Sequence, residues 1–310
     1  MSRTRILVTG GSGFIARALV PQLTEQADVT LLLRGQPADA RPLPAPLDEL
    51  RSRYHVAYAD LRDYQHTAHA VRQARPDRVL HLAAAGVSDP FLDVNMALSH
   101  NVEGTLNLLR ACFESDGLDV KQLIVARTPG ERVAMNVYAA SKSAAWTFCR
   151  MYARTSRWPI HGAMIFQAYG PGQPANLLVP SALNAALAGD EFSMTSGEQE
   201  KDWIYIDDVV AGLLTLLNAE LPPGETVELG SGQSTSVREV VERIYRLVGH
   251  GGRPKIGALT DRPGEVARQA ADIEHTARLI GWRARVSLHE GLTRLVEQHL
   301  TSSTSGRVIQ

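Results

Sequence analysis

The stretch Arg5-Ile6-Leu7-Val8-Thr9-Gly10-Gly11-Ser12-Gly13-Phe14 constrains the chain more than any other. A short apolar run bounded by glycine is the signature of a strand buried on both faces. From Phe14 to Gln26, the apolar residues Phe14, Ile15, Ala18, Leu19 and Leu23 then recur at helical spacing. A buried strand that passes through glycines into a helix is the opening of a parallel α/β sheet. The alternation continues down the chain. Strands are predicted over 28–34, 55–60, 78–84, 122–128 and 160–168, with helices over 92–114 and 137–154. A Pro- and Ala-rich surface loop is expected over 35–46. Further on, the pattern predicts helices over 176–188 and 207–218 and strands over 203–206 and 226–229. Ser236 to Glu239 and Ser287 to Glu290 have the spacing of capping boxes and open two last helices, before a polar tail from Thr301 that is expected to fray.

Length and composition narrow what such a sheet could serve. At 310 residues the chain has room for about two domains. Lys and Arg total 32 against 33 for Asp and Glu, so the net charge of −1 gives no bulk electrostatic case for nucleic acid or an anionic membrane. Two cysteines, Cys112 and Cys149, exclude a disulfide framework and are expected in the core of a protein kept reduced. No apolar run is long enough to cross a membrane, and the run ending at Gly10 is too short for a signal peptide, so a cytoplasmic location is expected. The histidines show no zinc-like clustering with cysteines, and His66 with His69 reads as a solvated helix face; no metal is expected.

The glycine turn carries the first chemistry. Gly11, Gly13 and Ala16 fit a G-x-G-x-x-A spacing, and Gly10, Gly13 and Ala16 fit G-x-x-G-x-x-A. In either reading glycine permits a tight turn and lets the backbone approach a pyrophosphate, while the helix start supplies amide donors. The end of the second strand distinguishes the two nicotinamide dinucleotides. A carboxylate there would bond the ribose 2′-hydroxyl of NAD. Instead the position is held by Arg34, twenty-one residues after Gly13, with no acid beside it. A guanidinium suits a 2′-phosphate, so NADP(H) is favoured and NAD(H) is the alternative.

Tyr138 and Lys142 stand at i and i+4, on one face of a predicted helix. A free phenol ionises near pH ~10, and a nearby ammonium would bring that down, making Tyr138 a candidate general acid or base.

With these residues in place, the chain resembles the extended short-chain dehydrogenase/reductases that act as sugar-nucleotide epimerases, dehydratases and reductases. The resemblance spans about residues 4–300. It rests on the glycine turn, Ala59 to Asp63, His81 to Ala84, Asn101 to Thr105, Tyr138 to Lys142, Tyr169 to Gln173, Lys201 to Asp208 and Arg262 to Glu265. It implies a Rossmann-type doubly wound sheet from residues 1–164 and 203–232. A smaller, discontinuous α+β substrate domain would comprise 165–202 and 233–300, with 301–310 as a tail. It implies that Gly10, Ser12, Gly13, Phe14, Ile15 and Arg34 meet the cofactor, with Asp60 and Leu61 at the adenine and Leu82, Ala83 and Ala84 lining it. Those last three read equally as strand core. By the same likeness Lys142 also bonds the nicotinamide ribose, Thr128 holds the substrate oxygen, and Phe166 and Gln167 fall where nicotinamide and sugar meet. Lys201 and Arg262 match cations that hold the nucleotide phosphates. Relatives dimerise through the helices over 92–114 and 137–154, so a homodimer is expected.

The chain also departs from that pattern. Ala126-Arg127 replaces a serine pair before Thr128, and nine residues separate Thr128 from Tyr138 where a longer loop is usual. Lys201 and Gln167 stand where arginine and asparagine are commoner. A dehydratase needs an acid–base pair beside the threonine, and here Pro129-Gly130 follows, which counts against dehydration. An epimerase returns its hydride to the same sugar and retains its cofactor, whereas a net reductase consumes NADPH. Arg34 therefore favours reduction of a keto group on a nucleotide-linked deoxysugar, with a 4-epimerase as the competing reading. A non-catalytic NADP(H)-binding sensor or scaffold is the alternative outside enzymes; the presence of Thr128, Tyr138 and Lys142 together weighs against it.

Overall fold

The computed structural model describes residues 3–35, 42–87, 89, 91–261 and 264–305, with side chains to residue 301. By their internal contacts these residues form two compact units, Met1–Ile165 with Val210–Glu228 and Arg278–Gly281, and Phe166–Val209 with Leu229–Ala277 and Trp282–Gln310.

The first unit opens with β1 (Thr4–Thr9), α1 (Phe14–Gln26), β2 (Ala27–Leu33), β3 (Tyr54–Tyr58), α2 (Tyr64–Ala74) and β4 (Arg78–His81). Then come α3 (Val94–Ala97), a π-helical turn (Leu98–Glu103), α4 (Gly104–Phe113), β5 (Gln122–Arg127), a 3₁₀ turn (Pro129–Val133), α5 (Val137–Thr155) and β6 (Ile160–Ile165). The chain continues through β7 (Gln167–Tyr169), α6 (Leu178–Ala188), β8 (Glu191–Ser193), β9 (Glu200–Tyr205), α7 (Ile206–Leu217) and β10 (Thr226–Leu229). It finishes with β11 (Ser234–Ser236), α8 (Val237–Val248), β12 (Arg253–Lys255), α9 (Ile273–Ile280) and α10 (Leu288–Ser305).

Seven strands make one sheet in the order β10-β6-β5-β4-β1-β2-β3. The pairs from β3 to β6 are parallel, and β10 rises alongside β6, with the amides of Gly162 and Phe166 bonded to the carbonyls of Glu225 and Leu229. This is the Rossmann-type doubly wound sheet. Leu7, Val79, Leu123 and Ile160 from its strands are fully buried with Val71 of α2, Leu108 and Cys112 of α4 and Cys149 of α5. Burial pushes the Cys112 thiol upward and the Cys149 thiol up to about 12, so both are core residues as expected. His66 and His69 lie on the exposed face of α2. In the second unit β11-β9-β7 form a small mixed sheet and β12 pairs with β8. Its interior carboxylate, Asp202, is fully buried and accepts the amides of Ser231, Gly232 and Ala271 together with the Ser231 hydroxyl.

Several elements differ from their sequence expectations. Strand β4 stops at His81 rather than residue 84, and the run expected over 160–168 breaks at Phe166 into β6 and β7. The helix over 92–114 is interrupted by the π turn, and α10 continues to Ser305, past the point where fraying was expected. At the expected capping boxes, Ser236 and Ser287 accept the amides of Glu239 and Glu290, but the glutamates turn to Arg243 and Arg294 instead of reaching back.

A buried polar chain ties β1 to β4 and α4. The Thr105 hydroxyl donates to the Asn101 carbonyl (2.6 Å), so it must accept from His81 Nε2 (2.9 Å). That leaves His81 Nδ1 as the acceptor for the Thr9 hydroxyl (2.7 Å), which in turn accepts the Ala83 amide (3.2 Å). Each hydroxyl proton has one place to go, which sets the imidazole as the neutral Nε2–H tautomer. Burial, with the Lys142 charge adding to it, drops the His81 pKa to about 3. The unfolded chain therefore binds a proton below about pH 6.5 that the folded chain refuses until about pH 3, and stability falls as pH falls through that window. From this residue alone, chemical denaturation at pH 5 against pH 7 should show a loss of about 2 kcal/mol. His81→Asn should be less stable at pH 7 but have a shallower dependence over this range; an unchanged slope would refute the assignment.

Candidate active site

The order of strands reverses on either side of β1, so the carboxyl ends of β1 and β4 flank a crevice, the place where open α/β sheets bind ligands. Two local features shape it for a dinucleotide. Gly10 has φ +67, and a Cβ there would lie 2.7 Å from the Ala83 amide nitrogen, so only glycine fits the turn. The turn closes through the Gly13 amide on the Gly10 carbonyl at 2.9 Å. Helix α1 then begins with no capping side chain and no acid in its first turn, and Ser12 and Gly13 are exposed beside it. Its first amides and dipole are thus presented to an anion. The residues fit a pyrophosphate.

Arg34 follows the last residue of β2 and is exposed. It acts with Arg62 on His100, and together with burial these cations lower the His100 pKa, with Asp60 opposing them. Asp60 is gripped by Arg62 through paired bonds of 2.6 and 3.0 Å, which hold its carboxyl at about 2. Leu61 is half-buried. Leu82 and Ala83 are half-buried and Ala84 is exposed, all past the end of β4, so they are rim residues rather than strand core.

On the other side of the crevice, β5 ends at Arg127, and Thr128 caps the 3₁₀ turn. Asn136 opens α5 by accepting the Ala139 amide at 2.9 Å, placing Tyr138 and Lys142 in its first two turns. Tyr138 is half-buried and Lys142 is 3% exposed. The expected depression of the phenol is not found. Burial first, and the Glu131 charge second, push Tyr138 upward and hold it protonated, while burial lowers Lys142.

Three groups near this pair carry no role in the sequence reading. Asn101, in the π turn, grips both backbone groups of Ala85 (2.8 and 3.0 Å) and donates to the Ser141 hydroxyl (2.9 Å), which donates to the Tyr138 carbonyl (2.7 Å). The third is Glu131, whose side chain accepts the Thr128 amide at 2.9 Å. Its signal was legible, since Thr128-Pro129-Gly130-Glu131 has the spacing of a capping box.

In the second unit Phe166 is buried, Gln167 is exposed at the start of β7, and Lys201 lies on β9. The Lys201 ammonium reaches the Val266 carbonyl (3.4 Å) and Gln269 Oε1 (3.3 Å), and burial lowers its pKa against the Glu265 charge. Arg262 lies outside the described residues. Among those that are described, no helix is long and apolar enough to cross a membrane, and no group of three or more His, Cys, Asp or Glu side chains could hold a metal.

Comparison with known proteins agrees with this layout. A model of the NAD dependent epimerase/dehydratase family matches residues 6–230. The chain is 30% identical over 329 residues to a probable dTDP-glucose 4,6-dehydratase of Sinorhizobium fredii, covering 96% of this chain and 93% of that protein. DesIV, a dTDP-glucose 4,6-dehydratase of Streptomyces venezuelae solved with NAD bound, superposes with a TM-score of 0.84 at 26% identity, covering 97% and 98% of the two chains. MoeE5, solved with UDP-glucuronic acid and NAD, gives 0.82 at 25% identity over 96% and 99%. The protein is a member of the NAD dependent epimerase/dehydratase family, within the extended short-chain dehydrogenase/reductases.

Proposed function

We propose that the protein is an NADPH-dependent reductase of a keto group, the 4-keto group in the favoured reading, on a nucleotide-linked deoxysugar. The observation that carries this is the cationic end of β2. Arg34 is exposed there with Arg62 and His100 in electrostatic reach, and it holds the position where a carboxylate would meet a ribose 2′-hydroxyl, with no acid beside it. MoeE5, bound to UDP-glucuronic acid, and the dTDP-glucose dehydratase relatives support a nucleotide-linked sugar as the substrate class.

The cofactor, when bound, supplies the hydride. Gly10, Ser12, Gly13, Phe14 and Ile15 would hold its pyrophosphate, Arg34 its 2′-phosphate, and Asp60 and Leu61 its adenine. Leu82, Ala83, Ala84 and Phe166 would line it, and Lys142 would bond its nicotinamide ribose. Thr128 then holds the substrate carbonyl oxygen and Tyr138 gives it a proton, while Gln167 meets the sugar and Lys201 and Arg262 take the phosphates. The upward shift of Tyr138 supports this direction, because a phenol kept protonated suits a donor better than a base. Dehydration lacks its acid–base pair, since Pro129-Gly130 follows Thr128 and the next carboxylate, Glu131, is ion-paired with Arg127 at 2.8 Å. The helices expected to pair two copies expose Val94, Leu98 and Phe148, which supports a homodimer; light scattering at micromolar concentration should give twice the chain mass.

Two measurements test the reaction. Fluorescence titration should show NADP binding at least roughly tenfold tighter than NAD, with Arg34→Asp removing that margin and sparing NAD, as expected for a lost charge-assisted contact. Equal loss of both cofactors, or NAD found tightly retained when the purified protein is denatured, would overturn the NADP assignment and point to an epimerase. Tyr138→Phe should lower kcat by about 10²–10⁴-fold on keto-sugar nucleotides without weakening cofactor binding. If neither the native protein nor this variant turns over any of a nucleotide-sugar panel while both bind NADP, the protein is a binding module.

A further inference from the structure

Arg127 and Glu131 stand beside the reaction centre as a buried ion pair, with side chains 13% and 1% exposed and a separation of 2.8 Å. Removing two charges from water is a poor route to stability, since apolar replacements of equal volume are often as stable. The pair's place calls for another account, and its geometry supplies one. Both carboxylate oxygens of Glu131 are fixed. One accepts the Thr128 amide at 2.9 Å, and the other accepts Arg127 Nε at 2.8 Å. Arg127 is itself immobilised, with Nη1 on the Thr226 hydroxyl at 3.1 Å and its guanidinium 4.4 Å from the Trp146 ring centre.

We propose that Glu131, clamped by Arg127, is a positioning residue of the reaction centre, the fixed counter-charge of Lys142 and the anchor of the Thr128 backbone. The proposal rests on the reading of Thr128, Tyr138 and Lys142 as that centre. Lys142 is almost wholly enclosed, and a low-dielectric surrounding favours its neutral amine. The charged and titratable groups acting on it come from several elements. Glu131 in the 3₁₀ turn and Cys149 on α5 favour the ammonium, and Arg127 on β5 opposes it. His81 on β4 feels the Lys142 charge and stays neutral down to about pH 3; Tyr138 is held protonated. Since the Cys149 thiol is pushed up to about 12, Glu131 is the anion of this set at neutral pH. It biases the pair toward phenol plus ammonium, the ionic state in which a proton can be given.

Lys121, Lys142, Lys201 and Lys255 are the chain's only lysines, so protein labelled with ε-¹³C-lysine gives few NMR signals, and Lys142→Met identifies the one in question. Glu131→Gln keeps an acceptor for the Thr128 amide and removes the charge. The Lys142 titration midpoint should fall by about one pH unit, the lower end of what a nearby charge produces, while the other lysines stay in place. The alkaline limb of the kcat/KM profile should move the same way. A folded variant with an unmoved Lys142 midpoint overturns the proposal. Should the variant fail to fold because Arg127 is left unpaired, Arg127→Gln with Glu131→Gln removes both charges together. Its midpoint should still lie below that of the native protein, and equality overturns the proposal. The NMR titration needs no turnover. A shifted Lys142 without activity on any nucleotide sugar upholds the counter-charge and rejects only the reaction; an unshifted one in an active enzyme does the reverse.

Discussion

The approach of the Gly10 turn to the chain leaving β4 governs the rest of the first unit. With a Cβ on residue 10 just 2.7 Å from the Ala83 nitrogen, any other residue would force the two strand ends apart. Closeness there lets Thr9 reach both His81 and the Ala83 amide, and through His81 it fixes Thr105 on α4. From α4 the order passes by way of Asn101 and Ser141 to the first turn of α5. One glycine therefore stands at the head of a polar chain that ends at the carbonyl of Tyr138. The crevice and the start of the helix that carries Tyr138 share one set of hydrogen bonds.

Charge in the first unit is arranged in local pairs. Arg62 neutralises Asp60, two residues away, and Arg127 neutralises Glu131, four residues away. Each pair leaves an imbalance at its edge. Beside Asp60 the surplus is cationic, from Arg34, and it bears on His100. Beside Arg127 the influence that reaches Tyr138 is anionic, from Glu131. A net charge of −1 is compatible with both because neither imbalance exceeds one residue.

Much of this was legible in the residues. The helix beginning at Phe14 and the glycine turn before it follow from spacing and from what glycine alone permits, and they are found as expected. Periodicity also placed the strands of the large sheet, whose burial on both faces leaves a continuous apolar run. The three-residue strands β8, β11 and β12 were not read, since elements so short are defined by a partner far away in sequence. At the site, residue types and spacing pointed to Tyr138 and Lys142 but misjudged the phenol. Its shift depends on enclosure and on Glu131, which a one-dimensional pattern does not measure. Capping-box spacing at Thr128 was visible; that the glutamate would be buried in an ion pair with Arg127 was not.

The π turn has a consequence for the surface as well as for Asn101. A π turn takes more residues per turn than an α-helix, so each residue advances by a smaller angle and the residues before it lie on a different azimuth from the one their spacing would give in an unbroken α-helix. Leu108, Leu109 and Cys112 after the turn form a buried stripe, while Val94, Met96 and Leu98 before or at its start are about half exposed, at 53, 49 and 48%. The buried face nevertheless runs through the turn, from Ala97 and Asn101 to Thr105, Leu108 and Cys112. Val94 and Leu98, four residues apart, face outward instead, so the apolar residues between 92 and 114 divide between the protein's core and its surface.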